Sequence, residues 1–162
     1  MNFKHAFVEK YSKLTSFEEY RGSVEFFARK SIRINTLKTT AKQLLPAMEE
    51  KGWHFDPVPW CKDGYYIEHE EKRRDIGMTE EHQQGFFFAQ KSVSMVPGLA
   101  LNPTSHDFVL DLCAAPGGKT THLAAFMNNK GLIVANEQDP YRINALTANI
   151  QRCGVMNTVM TQ

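Results

Sequence analysis

Long apolar runs are missing from this sequence, and no stretch approaches the roughly 18 apolar residues a membrane-spanning helix requires. No membrane partner is therefore expected. Charge of one sign is missing too. The formal net charge is +1, so any case for a nucleic-acid partner must rest on local distribution. Cysteine is scarce, and Cys61, Cys113 and Cys153 form no C-x-x-C pair. That spacing argues against a zinc knuckle or a secreted disulfide framework and favours a reducing, cytoplasmic setting. His54, His69, His82, His106 and His122 show no ligand spacing, so no metal site is expected. The opening residues contain no apolar h-region, and the chain is expected to be unprocessed. Repeats and low-complexity tracts are lacking as well. What is present is an ordinary globular mixture, 42% hydrophobic and 23% charged, with room for one medium or two small domains.

The texture changes near Asn102-Pro103-Thr104-Ser105, which places an N-terminal α/β cap over 1–104 and a second domain over 105–162. In the cap, residues 17–29 put Phe17, Tyr20, Val24 and Phe27 on one helical face, with Ser16 and Glu19 as a capping box. Residues 31–37 alternate like a half-buried strand. Residues 40–51 predict a helix ending at Gly52, with a kink or broken first turn at Pro46. Residues 53–58 and 64–68 are short strands, the first held to an edge by Pro57 and Pro59. Residues 70–75 predict an exposed turn, and residues 83–101 a segment linking the two domains. From 108 onward the order is β-α-β-α-β, predicting a parallel sheet: a buried strand at 108–113, a helix carrying Leu123, Phe126 and Met127, and a second strand ending at Glu137. Asp139-Pro140 then starts a helix with Ile143, Leu146 and Ile150 inward, closed by Gly154, and a third strand begins at 155.

Ligands of such sheets bind beyond the carboxyl ends of the strands, so the 113–119 loop and Glu137 should share one site. Gly117 and Gly118 let backbone N–H groups at a helix start approach a ligand, and Glu137 follows at the separation suited to ribose hydroxyls. A carboxylate there disfavours NADP. The NAD fingerprint G-x-G-x-x-G is absent. A P-loop ending in Gly118-Lys119-Thr120 fails because Cys113 stands where its first glycine should be, and Pro116 removes a donor. Of the three candidate ligand classes, NAD, a nucleoside triphosphate and S-adenosylmethionine, these grounds weigh against the first two.

The run Asp111-Leu-Cys-Ala-Ala-Pro-Gly-Gly-Lys-Thr-Thr121 closely resembles the first cofactor motif of the Sun/RsmF group of RNA 5-methylcytosine methyltransferases. Ser31-Ile-Arg-Ile-Asn-Thr-Leu-Lys38 is similar to the first strand of that family's RNA-side domain, Gln90-Lys-Ser-Val-Ser-Met95 to the segment entering the methyltransferase fold, and Asn136-Glu137 with Arg142 to its second cofactor motif. The resemblance implies a Rossmann-like S-adenosylmethionine-dependent methyltransferase core, incomplete after three strands, behind a small α/β RNA-side domain. It implies an S-adenosyl-L-methionine site in which Cys113, Ala114, Ala115, Pro116, Gly117, Gly118 and Lys119 wrap the cofactor. Glu137 holds the ribose, Arg142 lies near the adenosine side, and Lys119 points to the base pocket. Cys113 itself reads as a small buried residue lining the strand end rather than a nucleophile, and Arg142 equally as a solvated helix residue.

The family's chemistry adds a thiolate to cytosine C6, which makes C5 nucleophilic toward the methyl. The family's cysteines for this step lie in later motifs that these 162 residues do not contain, so no catalytic residue is assigned. The chain is expected to need a C-terminal half, as further sequence or a separate chain, and its open sheet edge to invite self-association. RNA (tRNA or rRNA) is the implied substrate, and Arg29, Lys30, Arg33, Lys38 and Lys42 form a basic strip that either meets phosphates or is a solvated face. Trp53, Trp60, Tyr65 and Tyr66 either stack on bases or are core. Two other classes remain open: a non-catalytic RNA- or protein-binding module derived from such an enzyme, and nucleotide hydrolysis through Lys119-Thr120.

Overall fold

The computed structural model describes residues 3–25, 29–72 and 75–162. Helices α1 (His5–Ser12) and α2 (Phe17–Glu25) are joined by aromatic contacts, including Phe7 with Tyr11 and Tyr11 stacked on Tyr20 at 4.7 Å between centroids. Of the expected α2 face, Phe17 and Tyr20 meet this cluster, whereas Phe27 and the side chain of Val24 lie outside the described residues. Arg73 and Arg74 of the expected 70–75 turn also lie outside them.

The cap is a four-stranded antiparallel sheet in the order β2-β3-β1-β4. Its strands are β1 (Ser31–Ile34), β2 (Trp53–Val58), β3 (Cys61–His69) and β4 (Phe87–Ala89). As its prolines require, β2 takes the edge, and its register shifts between Pro57 and Val58. Helix α3 (Ala41–Glu49) passes through Pro46 instead of stopping there. Its start is fixed by Gln43 Oε1, which accepts from both the N–H and the hydroxyl of Thr40.

Two expectations change here. β1 is buried at all four positions, not half-buried. Ile32 and Ile34 join Leu44, Met48, Trp53 and Phe87 in the cap core, while on the opposite face Ser31 donates to the Gln90 carbonyl and Arg33 reaches Thr121 of the second unit. The presumed linker, in turn, supplies a strand: β4 pairs with β1 through Ile32↔Ala89 and Ile34↔Phe87. It is flanked by α4 (Glu80–Gln83) before it and by α5 (Val96–Leu101) after a 3-10 turn.

The second unit is a three-stranded parallel sheet, β5-β6-β7, made of β5 (Phe108–Asp111), β6 (Leu132–Asn136) and β7 (Thr158–Thr161). Helices α6 (Gly118–Phe126) and α7 (Pro140–Cys153) bury Leu123, Ala124, Leu146 and Ile150 against Ile133 and Ala135. Phe88 from β4 belongs to this same cluster, so the two units share a core. β5 departs from the expected buried strand. Val109 packs inward, but Phe108 and Leu110, on the opposite face by the period of two, are 82% and 59% exposed. β5 ends the strand order and pairs with β6 alone among the described residues.

Hydrogen bonds seal the seam between the units. Asn35 Nδ2 donates to the carbonyls of Gly85 and Cys153, both at 2.8 Å, and Lys38 Nζ to those of Gln84 and Arg152. Arg152 donates in turn to the carbonyls of His82 and Phe87.

Candidate functional site

The loop between β5 and α6 is the site's frame, and the carbonyl oxygens of Ala114 to Gly118 are all engaged. The Ala114 carbonyl accepts from Gly117 N at 2.7 Å, Ala115 from Arg142 at 2.7 Å and Pro116 from Asn149 at 2.8 Å. Gly117 accepts from Thr121 N at 2.9 Å and Gly118 from Arg33 at 3.2 Å. With its acceptors occupied from within, the bend offers donors: α6 begins at Gly118, and first-turn N–H groups have no intrahelical acceptor. Gly117 sits at φ 104°, ψ 5°, in the left-handed region, and a Cβ there would lie 3.2 Å from Leu146 Cδ1. The Ala115-Pro116 peptide is cis.

Glu137, just past β6, is buried at 4% exposure. Its Oε1 accepts from Asp139 N at 3.1 Å and from Arg142 at 3.3 Å. Its Oε2 lies 3.2 Å from the same guanidinium but off the hydrogen-bond direction, so this buried oxygen accepts no hydrogen bond. Arg142 thus ties Glu137 to the Ala115 carbonyl, joining the two elements expected to share a site. Asp111, at the end of β5, accepts from the Thr120 hydroxyl at 2.8 Å and fixes the helix start from the strand side. Lys119 is exposed, between a cleft against Phe88, Gln90 and Lys91 and another against Gly98, Leu101 and Leu110.

Three expectations are corrected. Cys113 is exposed, because β5 ends at Asp111 and the chain turns outward before it. Cys61 and Cys153 are the buried cysteines, and burial pushes both thiols up. Arg33 cannot serve in a surface strip: it is 1% exposed and donates to Gln90 Oε1 at 2.9 Å, Thr121 Oγ1 at 2.9 Å and the Gly118 carbonyl. The remaining strip is not continuous, since Arg29 is paired with Asp56 and Glu68 and lies over the Tyr66 ring, while the Lys38 ammonium is spent on carbonyls. Lys30 and Lys42 are exposed. Of the aromatics, Trp53 is core and Trp60 is exposed. No sequence signal marks Asn149, and the parts that Gln90 and Thr120 play in bracing the loop are visible only in their contacts.

Behind the loop, His122 is 4% exposed and its Nδ1 has no hydrogen-bond partner. Burial, reinforced by the Arg33 charge, pushes the imidazole down to about 3. The unfolded chain, with an ordinary value of about 6.5, therefore binds the extra proton. Stability is complete above that value and drains as pH falls toward the folded value. Unfolding free energy is expected to drop by roughly 2 kcal/mol between about pH 7 and pH 5, and His122→Gln to flatten this dependence. Urea midpoints at both pH values check it, and a wild-type dependence no steeper than the variant's would refute it.

Residues 3–92 match the N-terminal domain of 16S rRNA methyltransferase RsmF, and residues 98–162 match 16S rRNA methyltransferase RsmB/F. The chain belongs to the RsmB/F methyltransferase family. Its RsmB/F relatives include a ribosomal RNA small subunit methyltransferase F from Vibrio campbellii, 45% identical over 96% of this chain and 34% of the relative. A protein of the same name from Shewanella piezotolerans is 50% identical over 82% of this chain and 29% of its own length. This RsmB/F chain thus spans about a third of the length of the curated relatives it matches. Among solved structures, a methyltransferase homolog from Pyrococcus horikoshii is 36% identical with a TM-score of 0.78, covering 85% of this chain and 44% of that one. NSun6 from the same organism, 20% identical, superposes with a TM-score of 0.85 over 99% of this chain and 65% of its own, a likeness of fold. The β5–β7 unit is therefore a partial Rossmann-like methyltransferase core. Among the described residues no helix is long and apolar enough to cross a membrane, and no three ligand-type side chains converge to hold a metal.

Proposed function

We propose that this chain is the S-adenosylmethionine-binding portion of an RNA cytosine-C5 methyltransferase, and that it methylates RNA only together with groups from outside these 162 residues. The observation that carries the reading is the pairing of a bend whose carbonyls are engaged, at a helix start whose N–H groups lack intrahelical acceptors, with a buried carboxylate whose Oε2 meets the Arg142 charge at 3.2 Å but accepts no hydrogen bond among the described residues. A buried acceptor without a donor is costly, and a ribose hydroxyl supplies the donor. S-adenosylmethionine, when bound, supplies a methyl group made electrophilic by its sulfonium. Residues Cys113 to Lys119 wrap it, Arg142 holds Glu137 in place, and Lys119 faces the acceptor base. The names of the relatives favour ribosomal over transfer RNA as the acceptor. The exposed Phe108, Leu110 and Leu112 support a further segment, a partner chain or a second copy packing on β5, and the absence of disulfide spacing favours a cytoplasmic setting.

Calorimetry tests the cofactor reading. The chain is expected to bind S-adenosylmethionine, and Glu137→Ala to weaken binding by roughly tenfold to a hundredfold, the scale of hydrogen bonds to a charged acceptor. No heat of binding for the wild type, or equal affinity for the variant, would discard it.

A further inference from the structure

We propose that the groove at the C-terminal end of β4 guides a single strand of RNA to the cofactor loop, with Lys91 as its central phosphate contact. This rests on the RNA methyltransferase reading above and adds the path of the substrate on this chain. β4 pairs with β1 on one side, and among the described residues no strand pairs with its other side. Two clefts open at the C-terminal end of β4, one toward the cofactor loop and one back across β1 and β3. One, of about 180 Å³, runs between Phe88, Gln90 and Ser94 and the loop residues Ala115, Pro116 and Lys119. The other, of about 260 Å³, is floored by Ile67, Ile76 and Ala89 and rimmed by Arg29 and Lys30. They meet at Ala89, Gln90 and Lys91, which line both.

The chemistry of the combined groove fits a polyanion with apolar faces. Among the described residues no carboxylate lines either cleft, whereas Lys30, Lys91 and Lys119 stand along them. Arg29 is discounted, because Asp56 and Glu68 already neutralise it. Lys91 is exposed and makes no ion pair among the described residues. Phosphates take such lysines, and the Ile67–Ile76–Ala89 floor offers sugars and bases a dry surface. An acidic peptide shares the charge but gives no reason for the groove to end at the loop where a methyl acceptor must arrive.

The test is fluorescence anisotropy of the whole chain with a labelled single-stranded RNA of about 12 nucleotides carrying a central cytosine, over a range of salt. Lys91→Glu is expected to weaken binding about tenfold near 50 mM salt and to lower the salt slope by about one. Lys91→Gln should shift affinity the same way by less, with an unchanged melting temperature. Lys42→Glu makes the same charge change at an α3 position lining neither cleft, and should alter affinity less than about twofold. Equal effects of Lys91→Glu and Lys42→Glu overturn the path. A wild-type chain that binds S-adenosylmethionine but no RNA also overturns it and leaves the cofactor reading intact. RNA binding that depends on Lys91, in a chain that does not bind the cofactor, upholds the path and removes only that reading.

Discussion

Gly85→Ala is expected to destabilise the chain by more than about 3 kcal/mol, at the upper end of single substitutions, and to part its two units. Gly85 sits at φ +75°, and a Cβ there would lie 1.9 Å from the Arg152 carbonyl oxygen and 3.2 Å from Cys153 Cα. Both obstacles are backbone at the end of α7, so neither can swing aside. Relief requires moving the cap away from α7, at the point where Asn35, Lys38 and Arg152 bind carbonyls across the seam. Differential scanning calorimetry should show a lower melting temperature or a second transition in place of one. A single transition within about 2 °C of wild type, less than 1 kcal/mol is worth in a chain of this size, would contradict the account.

The second large effect is expected at Arg33. Arg33→Met keeps most of the volume and removes three donated hydrogen bonds, stranding Gln90 Oε1 and leaving Thr121 Oγ1 and the Gly118 carbonyl with only their weaker bond to each other. Burial pushes the guanidinium down to about 10, so it stays charged at neutral pH and its desolvation offsets part of the gain. The net loss is expected near 3 kcal/mol, or roughly 6–12 °C in melting temperature. Because Gly118 opens α6, affinity for S-adenosylmethionine should fall as well. Arg33→Lys keeps the charge without the planar fork and should recover little of either. Melting curves and calorimetry on the three proteins check this, and an Arg33→Met protein as stable as wild type would exclude Arg33 as the clasp.

What was legible in the sequence was local. Asp139 caps α7 by accepting from Tyr141 N at 2.9 Å, Pro140 follows at the first helical position, and Gly154 closes the helix, as those residue types predict. The Gly117-Gly118 bend and Glu137 were found because strand ends and glycines mark such sites without tertiary information. Arg33 was misread for a physical reason. Alternation in 31–37 separates an apolar from a polar face, but it does not tell whether the polar face meets water or a second domain. β4, three residues long within an aromatic run, carries too short a pattern to separate from a linker. Cys113 lies in the loop because the apolar run 108–113 outlasts β5 by two residues, and apolar character alone does not mark where a strand ends.

The saturation of the bend's carbonyls has a dynamic consequence. Four peptide oxygens anchored to α6, α7 and β1, with a fifth closed within the loop by Gly117 N, leave residues 114–118 little freedom to rearrange, so the cradle is rigid before anything enters it. Crystal forms with and without a nucleoside should superpose there within about 1 Å, and adaptation to ligands should fall instead to the exposed side chain of Lys119.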